Sequence, residues 1–261
     1  MSGPAISPET RPARGSRPAG AFDEQSSAAA VQQMFDSIAP RYDLLNHVLS
    51  CNVDRWWWWR TARRFRSILA RPESAVLDIC CGTGDMTLAL LRHRSKNARP
   101  VLAADFSHAM LVRGAEKFRD RNVVAIEADA LHLPVASDSL DLITSAFGFR
   151  NLANYDAGLR EFHRVLRPGR ELGILDFSEP DGALGKAYAF YFRRVLPAIG
   201  ARLSGMGRAY AYLPSSVEQF PAPPRMLEMM RETGFGQVSW TPYTFGIAGL
   251  YRGIKSWPRV G

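Results

Sequence analysis

The sequence predicts an α/β protein built on a doubly wound, mostly parallel sheet that ends in an antiparallel hairpin. Three observations carry that prediction. From residue 75 onward, short apolar runs alternate with amphipathic helical stretches, the pattern left by parallel strands joined through crossover helices. The first apolar run empties into a tight turn, Gly82-Thr83-Gly84, at the point where a helix begins. The chain closes on two short strands too near in sequence for a crossover helix, so they pair antiparallel.

Taken in order, residues 1–24 hold Pro, Gly, Ala, Ser and Arg with almost no large apolar side chain. Such a segment cannot offset its ordering entropy and is expected to be a disordered tail. A transit peptide would also be arginine-rich, but the prolines, Glu9 and the lack of an amphipathic period speak against one. A helical lid over 25–71 follows. Val31, Met34, Phe35 and Ile38 recur at helical spacing until Pro40, a second segment spans Tyr42 to Leu49, and a third runs from about Asp54 to Leu69.

The main domain is expected over 72–254. Its strands are Ala75–Cys80, Val101–Ala104, Val123–Ile126, Leu140–Ala146 and Leu172–Phe177, and its helices are Asp85–His93, Ser107–Phe118 and Asn154–Leu166, the last closed by Arg167-Pro168-Gly169. Residues 180–220 are aromatic, basic and helix-like, and break the alternation as an insertion. A helix over Pro224–Thr233 precedes the final strands Val238–Pro242 and Phe245–Tyr251, and 255–261 is a short tail.

Composition excludes several classes. With 46% hydrophobic and 22% charged residues the chain is an ordinary globular one. No stretch approaches the roughly 20 apolar residues of a membrane span. The net charge of +8, from 33 basic and 25 acidic residues, is local in origin. Arg11, Arg14 and Arg17 lie in the tail. Arg55, Arg60, Arg63, Arg64, Arg66 and Arg71 crowd one window that holds no acid after Arg55 and contains Trp56, Trp57, Trp58 and Trp59. The cysteines are three, Cys51, Cys80 and Cys81, and the five histidines are scattered. An odd count with an adjacent pair suits a reducing, cytoplasmic compartment, and no metal-ligand spacing appears.

The chemistry is carried by residues 76–85, Val-Leu-Asp-Ile-Cys-Cys-Gly-Thr-Gly-Asp. Gly82 and Gly84 permit positive φ and close approach of backbone to a ligand, with Thr83 between them. Asp78 and Asp85 place negative charge beside the turn. A phosphate loop wants bare amides and a lysine there, whereas carboxylates suit the amino group and sulfonium of S-adenosylmethionine. The next strand ends at Asp105, 21 residues beyond Gly84, where an acid accepts hydrogen bonds from ribose hydroxyls. After the third strand, Asp129-Ala130 stands where adenine would lie. A dinucleotide loop would need a third glycine, and Met86 and Thr87 occupy that stretch. Together these features predict a class I S-adenosylmethionine-dependent methyltransferase fold of seven strands.

The flanks are more specific. Phe35-Asp36-Ser37-Ile38-Ala39-Pro40-Arg41-Tyr42-Asp43-Leu44-Leu45-Asn46 resembles the amino-terminal signature of the ubiquinone/menaquinone biosynthesis C-methyltransferases. Ala146-Phe147-Gly148-Phe149-Arg150-Asn151 looks like that family's fourth-strand motif, and Arg164-Val165-Leu166-Arg167-Pro168-Gly169 through Asp176-Phe177-Ser178 is similar to its second signature. The stretch from Lys186 to Ser216 fits its helical insertion, so the resemblance covers roughly 30–254. Departures are Gly169-Arg170 for the usual Gly-Gly, Asp176 for Glu, Leu44-Leu45 where a methionine is commoner, Asp54 where a histidine often stands, and Ala146 in place of a cofactor-contacting serine.

The resemblance implies methylation of a ring carbon of an isoprenoid quinol, demethylmenaquinol first and its ubiquinone-pathway equivalent beside it. A hydroquinone that sheds a phenolic proton becomes nucleophilic at ring carbon, so an enzyme must position it and steady the phenolate. Arg150 and Asn151 are the expected catalytic pair, and Tyr42, Asp43 and Asn46 would close over the cofactor. Arg150 has a plainer reading as an ion-paired arginine, Tyr42 as lid packing, Asp43 as a helix cap, and Asp78 as an organiser of the glycine loop. Cys80 and Cys81 read as packing. Four consecutive tryptophans point all ways around a helix and cannot all be core. Flanked by arginine, the exposed ones suit transient contact with the inner face of a membrane. Nucleic acid is disfavoured by the lack of an Asn-Pro-Pro-aromatic motif after the fourth strand, and a homodimer stays open. The alternatives are a class I methyltransferase for another lipophilic or phenolic acceptor, and a non-enzymatic basic RNA- or membrane-binding module.

Overall fold

The computed structural model describes residues 15–39, 52–178, 180 and 207–257. The helix expected over Tyr42–Leu49 and most of the 180–220 insertion lie outside the described residues.

Seven strands form one sheet in the order β3-β2-β1-β4-β5-β7-β6: β1 (Val76–Ile79), β2 (Val101–Asp105), β3 (Val123–Glu127), β4 (Leu140–Ala146), β5 (Leu166–Phe177), β6 (Phe235–Tyr243) and β7 (Ala248–Lys255). The first five pair in parallel, and β7 runs antiparallel to both β5 and β6. Strand order reverses on either side of β1, so a crevice opens beyond the carboxyl ends of β1 and β4, where such sheets bind ligands.

Period-two alternation makes the two core layers. Val76 and Leu142 face one layer with Trp57, Phe65, Met86 and Leu250, while Leu77 and Ile143 face the other with Phe149, Phe162, Met226 and Tyr251. The helices supply the covers: α1 (Glu24–Ile38), α2 (Val53–Arg64), the single turn α3 (Arg66–Leu69), α4 (Asp85–Leu91), α5 (His108–Phe118), α6 (Tyr155–Val165), α7 (Gly207–Gln219) and α8 (Pro223–Glu232). Caps define their starts. Asp23 and Ser26 close a capping box on α1, Ser107 caps α5, and Asn154 caps α6. No described helix is long and apolar enough to cross a membrane.

Three differences from the sequence reading have physical reasons. The third lid helix is broken at Phe65, whose ring is buried against β5, since a Cβ on Gly173 would come within 2.4 Å of it. The last strand starts at Ala248 rather than Phe245, because Thr244, Phe245 and Gly246 all take positive φ (44°, 57° and 90°) and turn the chain there. The tail expected without structure through residue 24 is packed from Gly15. The fully buried Ser16 donates its N–H to the Leu152 carbonyl at 2.8 Å, and Arg17 donates to the Ala153 carbonyl at 2.8 Å. Composition misled there because these small residues make backbone and hydroxyl contacts instead of a core.

Candidate active site

The crevice begins with the turn after β1. Cys80, Gly82 and Gly84 all have positive φ (55°, 55° and 89°), and the Cys81 N–H reaches across to the Ala104 carbonyl at 3.0 Å. Gly84 is required twice over: its φ is left-handed, and a Cβ there would stand 2.2 Å from the Phe118 ring. Asp78 is fully buried beneath the turn and accepts from the Thr87 hydroxyl at 2.6 Å and the Thr144 hydroxyl at 2.8 Å. Asp85 is neutralised by Lys117 of α5 at 2.9 Å, and the same ammonium donates to the Thr83 hydroxyl at 3.0 Å. That clamp joins residues over thirty apart in sequence and has no local signature.

Asp105 closes β2 with 5% of its surface exposed. One carboxylate oxygen accepts from the Gly82 N–H at 2.8 Å and the other from the Ser107 N–H at 2.9 Å. It therefore holds the glycine loop as well as facing the crevice. Asp129 also lines the crevice, but its oxygens accept from the Leu131 N–H at 2.9 Å and meet the His132 ring at 3.0 Å. Ala130, Leu131, Phe106 and Met110 complete an apolar wall beside it. The amino-terminal helix lies over this end. Ala28 and Phe35 of α1 line the crevice, Gln32 donates to the Phe106 carbonyl at 2.8 Å, and Asp36 accepts from the Ser107 hydroxyl at 2.6 Å. Asp36 belongs to the stretch that carried the family resemblance, yet nothing in its spacing announced this tie. Tyr42, Asp43 and Asn46 lie outside the described residues.

The far wall is the turn after β4. Phe147 has positive φ (58°), and a Cβ on Gly148 would meet Cys80 at 2.3 Å, so the β1 and β4 turns approach each other through Gly148. Non-glycine residues in this region are uncommon and cluster where sites are built. Of the two residues expected to meet substrate, Asn151 lines the crevice and Arg150 does not. Arg150 is turned inward. Its guanidinium pairs with the fully buried Asp176 at 2.9 Å, its backbone N–H donates to the same carboxylate at 3.0 Å, and its side chain also donates to the Phe147 carbonyl. The Tyr212 hydroxyl of α7 donates to Asn151 Oδ1 at 3.1 Å and meets the Ser16 hydroxyl at 2.8 Å. A tyrosine far along the chain thus fixes the amide, whose Nδ2 donates to the Phe147 carbonyl at 3.4 Å. Trp57 and Trp58 are buried, Trp58 against the crevice and Trp57 against Phe147 and Phe177.

The electrostatics ask for a cation. Burial, only partly offset by hydroxyl donors, pushes the Asp78 carboxyl up to about 7. Burial likewise raises Asp105 to about 6 against its backbone donors. Neither carboxylate meets a basic side chain in the contacts above, so a ligand bearing positive charge near the glycine turn fits this donor set. Burial, reinforced by these acids, also pushes the Cys80 and Cys81 thiols well above their usual value, which suits packing rather than nucleophiles. Among the described residues no cluster of His, Cys, Asp or Glu is arranged to hold a metal.

A pH dependence follows. A cation favours the ionised carboxylates, so its binding releases protons and tightens as pH rises. Affinity for S-adenosylmethionine should climb between about pH 5 and pH 8, by up to about tenfold per pH unit for each proton released. Titration calorimetry in buffers of different ionisation enthalpy reads this directly, and an enthalpy independent of buffer at pH 6.5 would contradict it.

Comparison with known proteins gives a family and a fold. Residues 23–255 match the model of the ubiE/COQ5 methyltransferase family. The demethylmenaquinone methyltransferase of Deinococcus radiodurans is 45% identical over 236 residues, covering 89% of this chain and 95% of its own. That of Thermus thermophilus is 44% identical over 225 residues, 85% of this chain and 100% of its own. The ubiquinone/menaquinone biosynthesis C-methyltransferase of Geotalea daltonii is 41% identical, covering 86% and 96%. Among solved structures, a possible histamine N-methyltransferase from Thermotoga maritima aligns with TM-score 0.59 at 17% identity over 87% of this chain and all of its own. The [4+2]-cyclase SpnF aligns with TM-score 0.65 at 16% identity over 94% and 99%. Those structural likenesses speak for the fold alone, the seven-stranded class I methyltransferase fold.

Proposed function

The chain belongs to the ubiE/COQ5 methyltransferase family of S-adenosylmethionine-dependent C-methyltransferases, and from that premise we propose that it methylates a ring carbon of a demethylated isoprenoid quinol in quinone biosynthesis. Demethylmenaquinol is the first substrate, in line with the two demethylmenaquinone methyltransferases that match 44–45% of their aligned residues. The observation that carries the reading is the pairing of an acidic, cation-seeking crevice with an aromatic wall in which Trp58 and Phe147 line the crevice and Trp57 and Phe177 pack behind Phe147.

S-adenosylmethionine, when bound, supplies the methyl group. Asp78, Gly82, Thr83 and Gly84 hold its amino-acid end, Asp105 its ribose, and Asp129 with Ala130 its adenine. Asp105 can do so because each oxygen keeps a lone pair beyond its single backbone donor. The quinol ring lies against the aromatic wall, where Asn151 donates to a ring oxygen. Arg150 acts one step back. Its bonds to Asp176 and to the Phe147 carbonyl hold the turn that carries Asn151, and the net charge of that pair is close to zero. A prenylated quinol resides in the bilayer, so the reading includes contact with the inner membrane face.

The test is transfer of labelled methyl from S-adenosylmethionine to demethylmenaquinol, demethylated benzoquinols and unrelated phenols. Label is expected in the quinols, with the naphthoquinol favoured. Cofactor binding with no transfer to any quinol would overturn the proposal. Tyr212→Phe should lower kcat several-fold while leaving cofactor affinity unchanged, because it frees the Asn151 amide without touching the acids; an unchanged kcat would remove Tyr212 from that role.

A further inference from the structure

The helix α2 carries its four tryptophans in two pairs with opposite fates. Trp57 and Trp58 are 4% and 8% exposed, whereas Trp56 and Trp59 are 44% and 37% exposed. At about 100° per residue, Trp56, Trp59, Arg60 and Arg63 share one face, and Trp57, Trp58, Thr61 and Phe65 share the other. The run therefore divides: the middle pair is core, and the outer pair supplies the exposed tryptophans.

That outer face continues into a shallow groove completed by Arg64, Arg66, Thr241, Tyr243 and Leu250. No acidic residue lines it. Arg60, Arg63, Arg64 and Arg66 take part in no ion pair among the described residues, and Arg63 and Arg66, after burial, hold the nearby His93 below its usual value. Among the described residues no acid pairs with this charge. Arg60 lies over the Trp56 ring at 5.1 Å and Arg63 over the Trp59 ring at 5.2 Å. Phe245, on the turn beside the Thr244 hydroxyl that accepts the Trp57 indole N–H at 2.8 Å, is 83% exposed.

We propose that this Trp56–Trp59–Arg60–Arg63–Arg64–Arg66 face is the docking surface by which the protein sits on an anionic phospholipid membrane, beside the quinol crevice. It rests on the quinol reading for its purpose, though not for its chemistry. Indoles wet at one edge and arginines reaching anionic headgroups are the components of an interfacial contact. A nucleic acid would instead need free indole faces for base stacking, and here arginine already covers one face of each. The same helix presents Trp58 to the crevice and Trp57 to its aromatic wall. Docking through its outer face therefore sets the crevice close to the bilayer surface, where a quinol is withdrawn.

The test uses the full chain and sedimented vesicles of phosphatidylglycerol with phosphatidylcholine, against phosphatidylcholine alone. Wild type is expected to bind the anionic vesicles, more weakly with added salt. Each arginine near the surface contributes roughly fivefold to the partition, so R60Q/R63Q/R64Q should lower it by about 100-fold and W56A/W59A by a further measurable factor. Both variants should keep the wild-type affinity for S-adenosylmethionine, which shows they are folded. Turnover of a short-tailed, water-soluble quinol should be unchanged in both, while turnover of a long-tailed quinol in anionic vesicles falls with the partition. An unchanged partition in R60Q/R63Q/R64Q overturns the proposal, as does equal binding to neutral vesicles. Binding of inorganic phosphate or an RNA oligonucleotide that the variants lose, without vesicle binding, also overturns it. Failure on every quinol with vesicle binding intact would sink the quinol reading and leave this surface standing.

Discussion

Asp105→Ala is expected to lower the affinity for S-adenosylmethionine by about 100-fold or more while leaving the sheet folded. Asp105 accepts from the Gly82 and Ser107 amides at 2.8 and 2.9 Å, and on the proposed reading it also holds the ribose. Hydrogen bonds to a charged group contribute about 1.5–3 kcal/mol each. Losing the loop support and the ribose contact together should remove about 3 kcal/mol, which is the 100-fold. Asp105→Asn keeps the shape but must turn an amide N–H toward one of the two backbone donors, so it should bind only modestly better than alanine. Calorimetry and cofactor-induced thermal shift both measure this. An affinity within threefold of wild type for Asp105→Ala would show that the ribose is held elsewhere.

That one residue also shows what the sequence could and could not reveal. Its place at a strand end, a fixed distance beyond Gly84, marks it as a ribose acid because strand and turn lengths are local properties. Its grip on Gly82 is not local: it exists because β2 lies beside β1 in the finished sheet. The same division runs through the site. Gly82, Gly84, Asp78 and Asn151 are legible from motif and spacing, and so is the strand order, since parallel strands and a closing hairpin leave few topologies. Lys117 on Asp85, Tyr212 on Asn151 and Ser16 on Tyr212 join segments tens to hundreds of residues apart. No periodicity encodes such pairs. The tryptophan run was half legible: helical geometry requires that it divide between core and surface, but which pair faces inward depends on the phase set by Ala62 and Phe65, both buried with Trp57 and Trp58. Arg150 was read as a group at the mouth of the site because its strand-end position is right. The side chain turns inward because Asp176 is fully buried behind it and would otherwise be an unpaired buried charge.

That inward pair gives the largest stability effect expected in the molecule. Arg150→Met leaves the Asp176 carboxylate without its guanidinium, and Asp176→Ala leaves the guanidinium without its carboxylate. Each should cost about 3–5 kcal/mol, the usual penalty for stranding one member of a buried pair. The double variant Arg150→Met/Asp176→Ala should cost much less than the two together, because no charge is left stranded. The pH dependences should differ in sign-determined ways. Burial already holds the Asp176 carboxyl above its ordinary value with Arg150 present, and removing Arg150 raises it further. The penalty in Arg150→Met is a penalty on the ionised form, so it should be present near neutral pH and shrink as pH falls and the carboxyl takes up a proton. In Asp176→Ala the stranded guanidinium stays charged throughout and the Asp176 titration is gone, so its deficit against wild type should not shrink as pH falls. Urea melts of the four proteins at several pH values separate these outcomes, and additive single-variant losses would mean the pair is not coupled. Catalysis should follow the same logic. If Arg150 works by holding the turn that presents Asn151, then Asn151→Ala lowers kcat, and adding Arg150→Met lowers the kcat of the folded fraction little further. A full additional loss would instead give Arg150 a charge role of its own at the reacting ring.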